Sequence, residues 1–433
     1  MLKFISNKHL KEVFRGSVLA FILKAFGAVL AFAFNIFLAN ILGVEGTGQY
    51  FLIISILTIV AVFGKFGLDN SLLFYVSKFR SLQEWGSIKP MVKRCYIYAV
   101  MFSLFLMGLL YSGSSWLSVQ VFNKPEISGL LKFGAILVLP LVLNGLGIEH
   151  LKAHKKFVYS QFLQVVSIPL ISIVLIYFLA NNWKVNGALI VFGIAVTFSA
   201  CLGGVIGNNE TRLWKGLAES PFKGNILKSS VPFFWLSVMN LTTNWSGTIF
   251  LGVWASSSDV GIFSVANKTA MLLGFIINSV NIVVAPKFSE LYYTGEKQAL
   301  SYVAKKSARM MMLIAAPIVL IFILFPDMIL NLYGDGFSDG AFCLQVLAIG
   351  QFVNVSAGSV GYLLLMTDNK VVASKNATVC FFVNIGLFLA LVPYYGLKGA
   401  ALAATLSLVV KNVLLVGLVK KHLGINFLGR DLA

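Results

Sequence analysis

The sequence predicts an all-α polytopic membrane protein: about 12 transmembrane helices in two parallel six-helix bundles around a central cleft. Three observations predict this class. The chain is 58% hydrophobic and only 12% charged, with a mean hydropathy of +0.87. Long apolar runs recur from end to end, whereas a transmembrane barrel would show short alternating segments. The second half of the chain also echoes the first at a nearly constant offset.

The apolar runs are long enough to cross the hydrocarbon core, which takes about 20 residues. The predicted spans are 14–42, 49–77, 91–112, 126–151, 157–180, 185–208, 229–254, 259–286, 303–325, 338–366, 371–393 and 397–419. The prolines at positions 140, 169, 232 and 317 lie within spans, where the freed carbonyls need other partners.

The N-terminal run is predicted to be a retained first span rather than a signal peptide. Basic residues precede an apolar stretch from Val18 to Leu42, which is too long for a signal-peptide core. No convincing small-residue cleavage site follows it. We therefore expect this segment to stay in the membrane.

The basic residues predict the orientation. With both termini placed in the cytoplasm, 26 of the 34 Lys and Arg lie at the cytoplasmic ends and loops. Only Lys124, Lys184 and Lys398 lie on the opposite side, and five more lie within spans. This asymmetry favours termini on the cytoplasmic side. It also accounts for most of the net charge of +18, because basic segments anchor against anionic lipid; nucleic acid is not an expected partner.

The internal repeat is visible in three places. "IFLANILGVEGTGQY" (36–50) aligns with "IFLGVWASSSDVGIF" (249–263) at an offset of 213, with Gly48 on Gly261. "GIEHLKAHKKFVYS" (147–160) aligns with "GYLLLMTDNKVVAS" (361–374), and "VNGAL" (185–189) with "LKGAA" (397–401). Six spans per repeat is an even number, so the repeats are parallel.

The repeat predicts the domain organisation. An N-terminal six-helix bundle spans 1–208, a polar cytoplasmic linker spans 209–228, and a C-terminal bundle with a short cytoplasmic tail spans 229–433. Parallel repeats of this kind suggest a transporter that exposes a substrate to alternate sides of the membrane. Such a chain forms its own cleft, so a monomer is sufficient.

Four stretches carry a family resemblance: "NIFLANILGVEGTGQY", "FGLDNSLLFYVSK" (66–78), "LNLYGDGFSDGAFCLQVLAIG" (330–350) and "YGLKGAALAATLS" (395–407). With the twelve spans, they resemble the multidrug/oligosaccharidyl-lipid/polysaccharide exporter superfamily, and within it a Wzx-type O-antigen or polysaccharide repeat-unit flippase. The similarity runs over nearly the whole chain. The family often has a basic residue shortly after the GLD-like turn, where this chain has Phe74.

The resemblance implies a flippase that moves undecaprenyl-pyrophosphate-linked oligosaccharide from the inner to the outer leaflet of a bacterial cytoplasmic membrane. O-antigen, lipopolysaccharide or another surface polysaccharide would be the pathway. A polysaccharide polymerase and a chain-length regulator are the implied protein partners. No cofactor is expected.

Ionisable residues within spans are costly and tend to face a cavity. In span 1, Lys24, Ala28, Ala31 and Asn35 share one helical face, which is polar at both ends. One interpretation places this face on the cleft, with Lys24 contacting pyrophosphate and Asn35 contacting sugar. The other makes it a close helix–helix contact, with Lys24 extending to the cytoplasmic surface.

In span 2, the residues at 55, 58, 62, 65 and 69 share a face, and four of them are polar. Lys65 and Asp69 are i, i+4 neighbours that can form an ion pair. Alternatively, a buried Asp69 could take up a coupling proton. The structural pair is favoured, because it explains both residues without a coupling ion.

Spans 7, 8 and 12 carry the remaining candidates. Lys268 and Lys411 are predicted to contact the pyrophosphate, since lysine serves as a point-charge phosphate partner. Asn240, Asn244 and Asn278 are predicted to contact sugar hydroxyls. Asparagines also hold membrane helices together, but these exceed what that role requires.

Three alternatives stay open. A cation-coupled multidrug exporter of the same superfamily would need buried carboxylates, and Asp69 is nearly alone within the spans. A membrane polymerase or ligase acting on the same lipid usually has a large external loop, and the loops here are short. A structural membrane scaffold would not explain the lysines. The four cysteines lack metal-ligand spacing and no HExxH or Walker-type glycine loop occurs, so no metal site is predicted and an ATP-driven machine is not expected. The favoured prediction is a transporter and not an enzyme.

Overall fold

A computed structural model describes residues 2–212 and 224–427. Within these ranges the chain is helical throughout, with no strand. The α-helices are Leu2–Lys65 (α1), Leu68–Ser81 (α2), Ile88–Trp116 (α3), Ser128–Ile136 (α4), Val138–Ala153 (α5), Phe157–Gln161 (α6), Ser167–Arg212 (α7), Ile226–Trp254 (α8), Ser257–Ala270 (α9), Gly274–Tyr293 (α10), Lys297–Leu324 (α11), Pro326–Leu330 (α12), Ala341–Ala357 (α13), Val360–Leu365 (α14) and Lys370–Leu423 (α15).

The helices account for about twelve membrane passes, as predicted. Among the described residues, eight helical segments are long and apolar enough to cross a membrane, and nine if the bent pair α4–α5 is one span. In this count the two halves of α7 are separate segments, and α9 and α10 form one segment. Two of these, α1 and α15, each contain two passes, separated by left-handed glycines at Gly43 and Gly396. The more polar α8, which has 29 residues, supplies the remaining pass.

The prolines of the predicted spans differ in their positions within the helices. The predicted span 126–151 bends by 44° between α4 and α5. Pro140 lies in the first turn of α5, where its missing N–H is tolerated. Pro169 lies inside a continuous helix, shortly after the π-helical turn Phe162–Val166 that joins α6 to α7. Pro232 and Pro317 lie inside α8 and α11.

The predicted span 49–77 is not one continuous helix, because α1 ends at Lys65 and α2 begins at Leu68. Phe66 and Gly67 have φ angles of 46° and 72°, and they separate α1 from α2. A Cβ on Gly67 would lie 2.5 Å from both the Phe234 nitrogen and the Ser230 oxygen of α8. The break therefore lets the α8 backbone approach closely, and the five polar-face positions of the predicted span do not lie on one continuous helix.

The chain divides into two compact units. The N-terminal unit comprises Met1–Leu42 and Gln49–Leu241, and the C-terminal unit comprises Gly43–Gly48 and Thr242–Ala433. The division falls inside α8. Of the predicted linker 209–228, residues 213–223 lie outside the described residues, and the predicted domain boundaries stay a prediction.

In the N-terminal unit, α2 is held against the first half of α8. The Ser71 and Ser230 hydroxyls lie 2.7 Å apart, and the Tyr75 hydroxyl donates to Ser229 Oγ at 2.9 Å. The Phe66 ring stacks on Phe234, with 4.8 Å between centroids. The beginning of α8 thus packs as part of the N-terminal unit.

In the C-terminal unit, the segment 43–48 packs against α9 at glycine. A Cβ on Gly48 would lie 1.7 Å from the Ser257 carbonyl oxygen, and one on Gly261 would lie 2.2 Å from the Val44 oxygen. The two glycines that the repeat aligns are therefore in contact with each other's segments. Any larger residue at either position would force the backbones apart.

Candidate functional site: a polar cavity in the C-terminal unit

Four helices of the C-terminal unit line a small polar cavity of about 70 Å³. The lining comes from the second half of α8, from the end of α9, from α13 and from both passes of α15. Its polar members are Thr243, Asn244, Asn267, Gln351, Asn384, Ser407 and Lys411. No Asp or Glu is among the lining residues. The cavity therefore offers amide, hydroxyl and ammonium groups without a carboxylate.

Lys411 supplies the positive charge in this lining. It lies on the second pass of α15 and is half-buried. An ammonium group at this depth needs polar neighbours, because a bare charge in hydrocarbon is expensive. The amide side chains of Gln351 and Asn384 in the same lining can solvate it. Lys411 thus faces a polar interior, as expected for a lysine that cannot reach the membrane surface.

Lys268 lies beside the cavity, next to its lining residue Asn267. Its Nζ lies over the Trp245 ring of α8, 5.6 Å from the centroid. A cation over an indole face is stabilised by the ring quadrupole, the more so when water is excluded. The consecutive residues Asn244 and Trp245 therefore place an amide in the cavity and an indole against Lys268.

Interhelical hydrogen bonds fix the helices that carry these groups. The Ser246 hydroxyl donates to Asn384 Oδ1 at 2.8 Å and joins α8 to α15. Asn412 Nδ2 donates to Asn354 Oδ1 at 3.0 Å and joins α15 to α13. In a membrane such bonds each contribute about 0.6 kcal/mol and orient the helices that make them.

Other predicted site residues lie in the N-terminal unit. Lys24 and Asn35 are partly buried on the first pass of α1, and Asn240 is exposed on the first half of α8. Lys24 and Lys152 lie close enough to repel each other electrostatically. Lys24 is thus near the end of α5 rather than isolated in hydrocarbon.

The Lys65–Asp69 ion pair is present. Lys65 Nζ lies 2.8 Å from Asp69 Oδ2 across the break between α1 and α2. The Lys65 side chain also packs over Gly145 of α5, where a Cβ would lie 2.9 Å from its Cδ. The pair bridges the interruption at Phe66 and Gly67. This arrangement favours the structural interpretation of the Lys65–Asp69 pair.

Within the C-terminal unit, the structure brings some of the predicted residues together. Asn244 and Lys411 line one cavity, and Lys268 lies beside it. Asn278 lies on α10, is exposed, and does not line the cavity. Sequence reasoning missed Gln351 and Asn384 as lining residues. Their only signal is an amide in the middle of a predicted span, which also fits helix association.

The cavity volume limits what it can hold. Pockets for small organic ligands have volumes of about 300–1,000 Å³, and a single water needs roughly 10–15 Å³. A volume of about 70 Å³ fits a few waters but not a sugar ring. Among the residues that the structure describes, no group of three His, Cys, Asp or Glu could hold a metal ion.

Comparison with known proteins agrees with a transporter architecture. A family model described as "Polysaccharide biosynthesis protein" matches residues 37–341. A "Probable low-salt glycan biosynthesis flippase" of Haloferax volcanii is 23% identical, over 96% of this chain and 85% of the relative. A "Putative O-antigen transporter" of Shigella flexneri is also 23% identical, over 88% of this chain and 91% of the relative.

Solved structures share the fold at low sequence identity. The lipid II flippase MurJ in an inward closed conformation superimposes with a TM-score of 0.76 and 15% identity, over 93% of this chain and 87% of that one. An inward-facing multidrug resistance MATE transporter superimposes with a TM-score of 0.71 and 15% identity, over 94% and 98%. These similarities establish the fold, and the helical membrane architecture follows.

Proposed function

Because the chain belongs to the polysaccharide biosynthesis protein family, we propose that it is a flippase for an undecaprenyl-pyrophosphate-linked oligosaccharide repeat unit. It is a multi-pass membrane transporter of polysaccharide precursors rather than an enzyme, as its flippase and transporter relatives indicate. The proposed direction is from the inner to the outer leaflet of a bacterial cytoplasmic membrane. Both termini lie in the cytoplasm in this proposal.

The observation that carries the anionic substrate is the lining of the C-terminal cavity. Lys411 and Lys268 provide positive charge among amides, and no carboxylate lines the cavity. A pyrophosphate must be shielded from lipid as it crosses, and lysines can do this as point charges. The amides of Asn244 and Asn384 suit sugar hydroxyls. A hydrophobic cation would instead need carboxylates, so the lining disfavours a cation-coupled drug exporter.

The small volume of the cavity places a requirement on the transport mechanism. A head group does not fit into about 70 Å³. The lining must therefore open during the transport cycle, as alternating access requires. Lys24, Asn35 and Asn240 are proposed as the contributions of the N-terminal unit, and Asn278 as a further sugar contact.

The experiment that tests the proposal is the sidedness of the lipid-linked repeat unit in cells that lack the gene. An impermeant sugar-modifying reagent applied to spheroplasts labels only repeat units in the outer leaflet. We expect the unlabelled intermediate to accumulate, and the gene to restore labelling. If the repeat unit reaches the outer leaflet normally but stays unpolymerised, the protein acts after flipping and the proposal is wrong.

The lysines are tested in the same assay with matched variants. Lys268→Ala and Lys411→Ala should abolish labelling at a normal protein level, and Lys268→Arg should retain part of it, because it keeps the charge. Lys287→Ala is the control, since Lys287 forms an exposed ion pair with Glu290 at 2.8 Å. Normal labelling in both alanine variants would exclude the cationic cavity while leaving the flippase proposal intact.

A further inference from the structure

A second, larger cavity lies on the C-terminal unit and takes no part in the proposed transport site. It is a groove of about 560 Å³ between α11, α13 and the second pass of α15. None of its lining residues is shared with the polar cavity described above. This groove is large enough for a ligand with apolar chains.

The walls of the groove are mostly apolar. They are formed by Ala308, Met312, Phe352, Val353, Ala357, Val413, Val416 and Phe427. Val413 is 62% exposed, so the groove is open beside this residue rather than sealed in the helix bundle. An open apolar groove on a membrane-spanning unit is in contact with acyl chains.

One end of the groove is basic and polar. Lys305 and Arg309, one turn apart on α11, both line it, together with Ser356 and Asn412. The Ser356 hydroxyl oxygen is buried and has no protein hydrogen-bond partner. No Asp or Glu is among the lining residues. Two cations and an unsatisfied hydroxyl at the head of an apolar groove match a phosphate group attached to apolar chains.

The position of the basic end agrees with this chemistry. Lys305 and Arg309 lie in the first half of α11, near the loop that the charge distribution places in the cytoplasm. Ser356, Val416 and Phe427 lie near the corresponding ends of α13 and α15. The cytoplasmic leaflet carries the anionic lipids, and basic pockets between helices on that side bind their head groups.

We propose that this groove binds one anionic glycerophospholipid of the inner leaflet, with its phosphate at Lys305, Arg309 and Ser356 and its acyl chains along α13 and α15. The bound lipid would fill the space between α11 and α15. The proposal does not depend on the identity of the transported substrate.

Native mass spectrometry of the purified full-length chain in detergent tests the proposal, with dioleoylphosphatidylglycerol and dioleoylphosphatidylcholine as probes. We expect one tightly held phosphatidylglycerol, preferred over phosphatidylcholine by about tenfold or more. Lys305→Gln/Arg309→Gln should remove this preference. Lys306→Gln is the matched control, because Lys306 is adjacent and basic but lies over the Tyr302 ring outside the groove.

A second variant separates the contribution of the apolar walls to lipid retention from that of the positive charges. Val413→Trp should fill the apolar part and lower retention of phosphatidylglycerol while leaving both cations in place. Equal retention of the two lipids by the wild type would overturn the proposal, as would an unchanged preference in Lys305→Gln/Arg309→Gln. So would a stronger preference for undecaprenyl phosphate, or a preference that arises only after residues 428–433 are deleted, since the groove would then belong to another occupant.

Discussion

The turn inside α7 and the turn inside α15 have nearly the same backbone but differ in the residue that adopts the strained conformation. Lys184 has φ 47° and ψ −127°, and Gly396, 212 positions later, has φ 51° and ψ −126°. These angles match the first central residue of a type II′ turn, which glycine normally occupies. The C-terminal unit thus has the suitable residue, whereas the N-terminal unit holds a lysine under strain.

The same two turns agree at a second position. A Cβ on Gly187 would lie 2.2 Å from the Leu179 carbonyl oxygen, and one on Gly399 would lie 2.3 Å from the Leu391 oxygen. Both turns therefore need glycine three residues after the left-handed residue. Close backbone approach therefore allows no substitution at these two glycines, whereas a strained φ is tolerated where the surrounding helices impose it.

The largest expected effect comes from the close contacts. Gly187→Ala and Gly399→Ala should each destabilise the protein by about 3 kcal/mol, because the added methyl overlaps a carbonyl oxygen and the helices must move apart. Denaturant titration in detergent micelles measures the loss. Gly204→Ala in α7 and Gly386→Ala in α15 are the controls, because a Cβ there meets nothing within 4 Å. A large loss of stability at only one of the two turns would show that the two turns are not equivalent.

The next expected effect is a dependence of folding stability on pH that arises in the N-terminal unit. His154 follows α5, and burial, followed by the nearby Arg80 charge, lowers its pKa from 6.5 to about 4. The unfolded chain therefore binds a proton between about pH 6.5 and 4 that the folded chain does not. Stability is constant above this window and falls as the pH drops through it. Between pH 7 and 5 we expect a loss of about 1–2 kcal/mol.

The control for this prediction comes from the other unit. The predicted repeat aligns His154 with Asp368, which is exposed and accepts a hydrogen bond from the Tyr293 hydroxyl at 2.7 Å. His154→Asn should reduce the dependence of the unfolding midpoint on pH between 7 and 5, and Asp368→Asn should leave it unchanged. The same pH dependence in His154→Asn as in the wild type would place the titrating group elsewhere.

A smaller effect tests the strained φ directly. Lys184→Gly should stabilise the protein by about 1 kcal/mol, and Gly396→Ala should destabilise it by a similar amount, because only glycine adopts this φ and ψ without a Cβ clash. The unfolding midpoint in micelles measures both. Lys184→Ala separates strain from charge: it removes the ammonium but keeps the Cβ, so it should change little. An equal gain from Lys184→Ala would attribute the effect to charge.

The sequence predicted the number of passes because hydrophobic length is a local property that each span carries by itself. It also aligned Gly48 with Gly261. It did not indicate why both positions are glycine, which is that their segments touch. The break at Phe66 and Gly67 was missed, because it depends on the approach of α8, more than 150 residues away. The i, i+4 spacing of Lys65 and Asp69 still indicated their pairing, since the pair survives the break.

The candidate site was predictable only in part for a related reason. Lys268 and Lys411 stand out because a charge inside an apolar run is rare and costly. Gln351 and Asn384 do not, because a single amide within a span is common and has a structural explanation. Their grouping with Asn244 depends on helix packing among α8, α13 and α15, which no local pattern records.

The smallest expected effect concerns an interhelical hydrogen bond that each unit forms within itself, at a corresponding position. In the N-terminal unit the Ser199 hydroxyl donates to Asn144 Oδ1 at 2.8 Å, and in the C-terminal unit Asn412 donates to Asn354 Oδ1 at 3.0 Å. Ser199 and Asn412 lie 213 positions apart, at the repeat offset. Double-mutant cycles with alanine should give a coupling of about 0.6 kcal/mol in each unit.

The hydrogen-bonded pair Ser199–Asn144 in the N-terminal unit has one additional member, Ser167. The Ser167 hydroxyl donates to Ser199 Oγ at 2.9 Å, so Ser199 bridges α5 and the first pass of α7. Ser199→Ala should therefore destabilise more than Ser167→Ala, because it removes both bonds and leaves Asn144 Oδ1 without this donor. Asn412→Ala should cost less than Ser199→Ala, since one interhelical bond is lost there. Equal losses from Ser199→Ala and Asn412→Ala would mean that the third hydroxyl adds nothing, and that the two units are stabilised alike at this position.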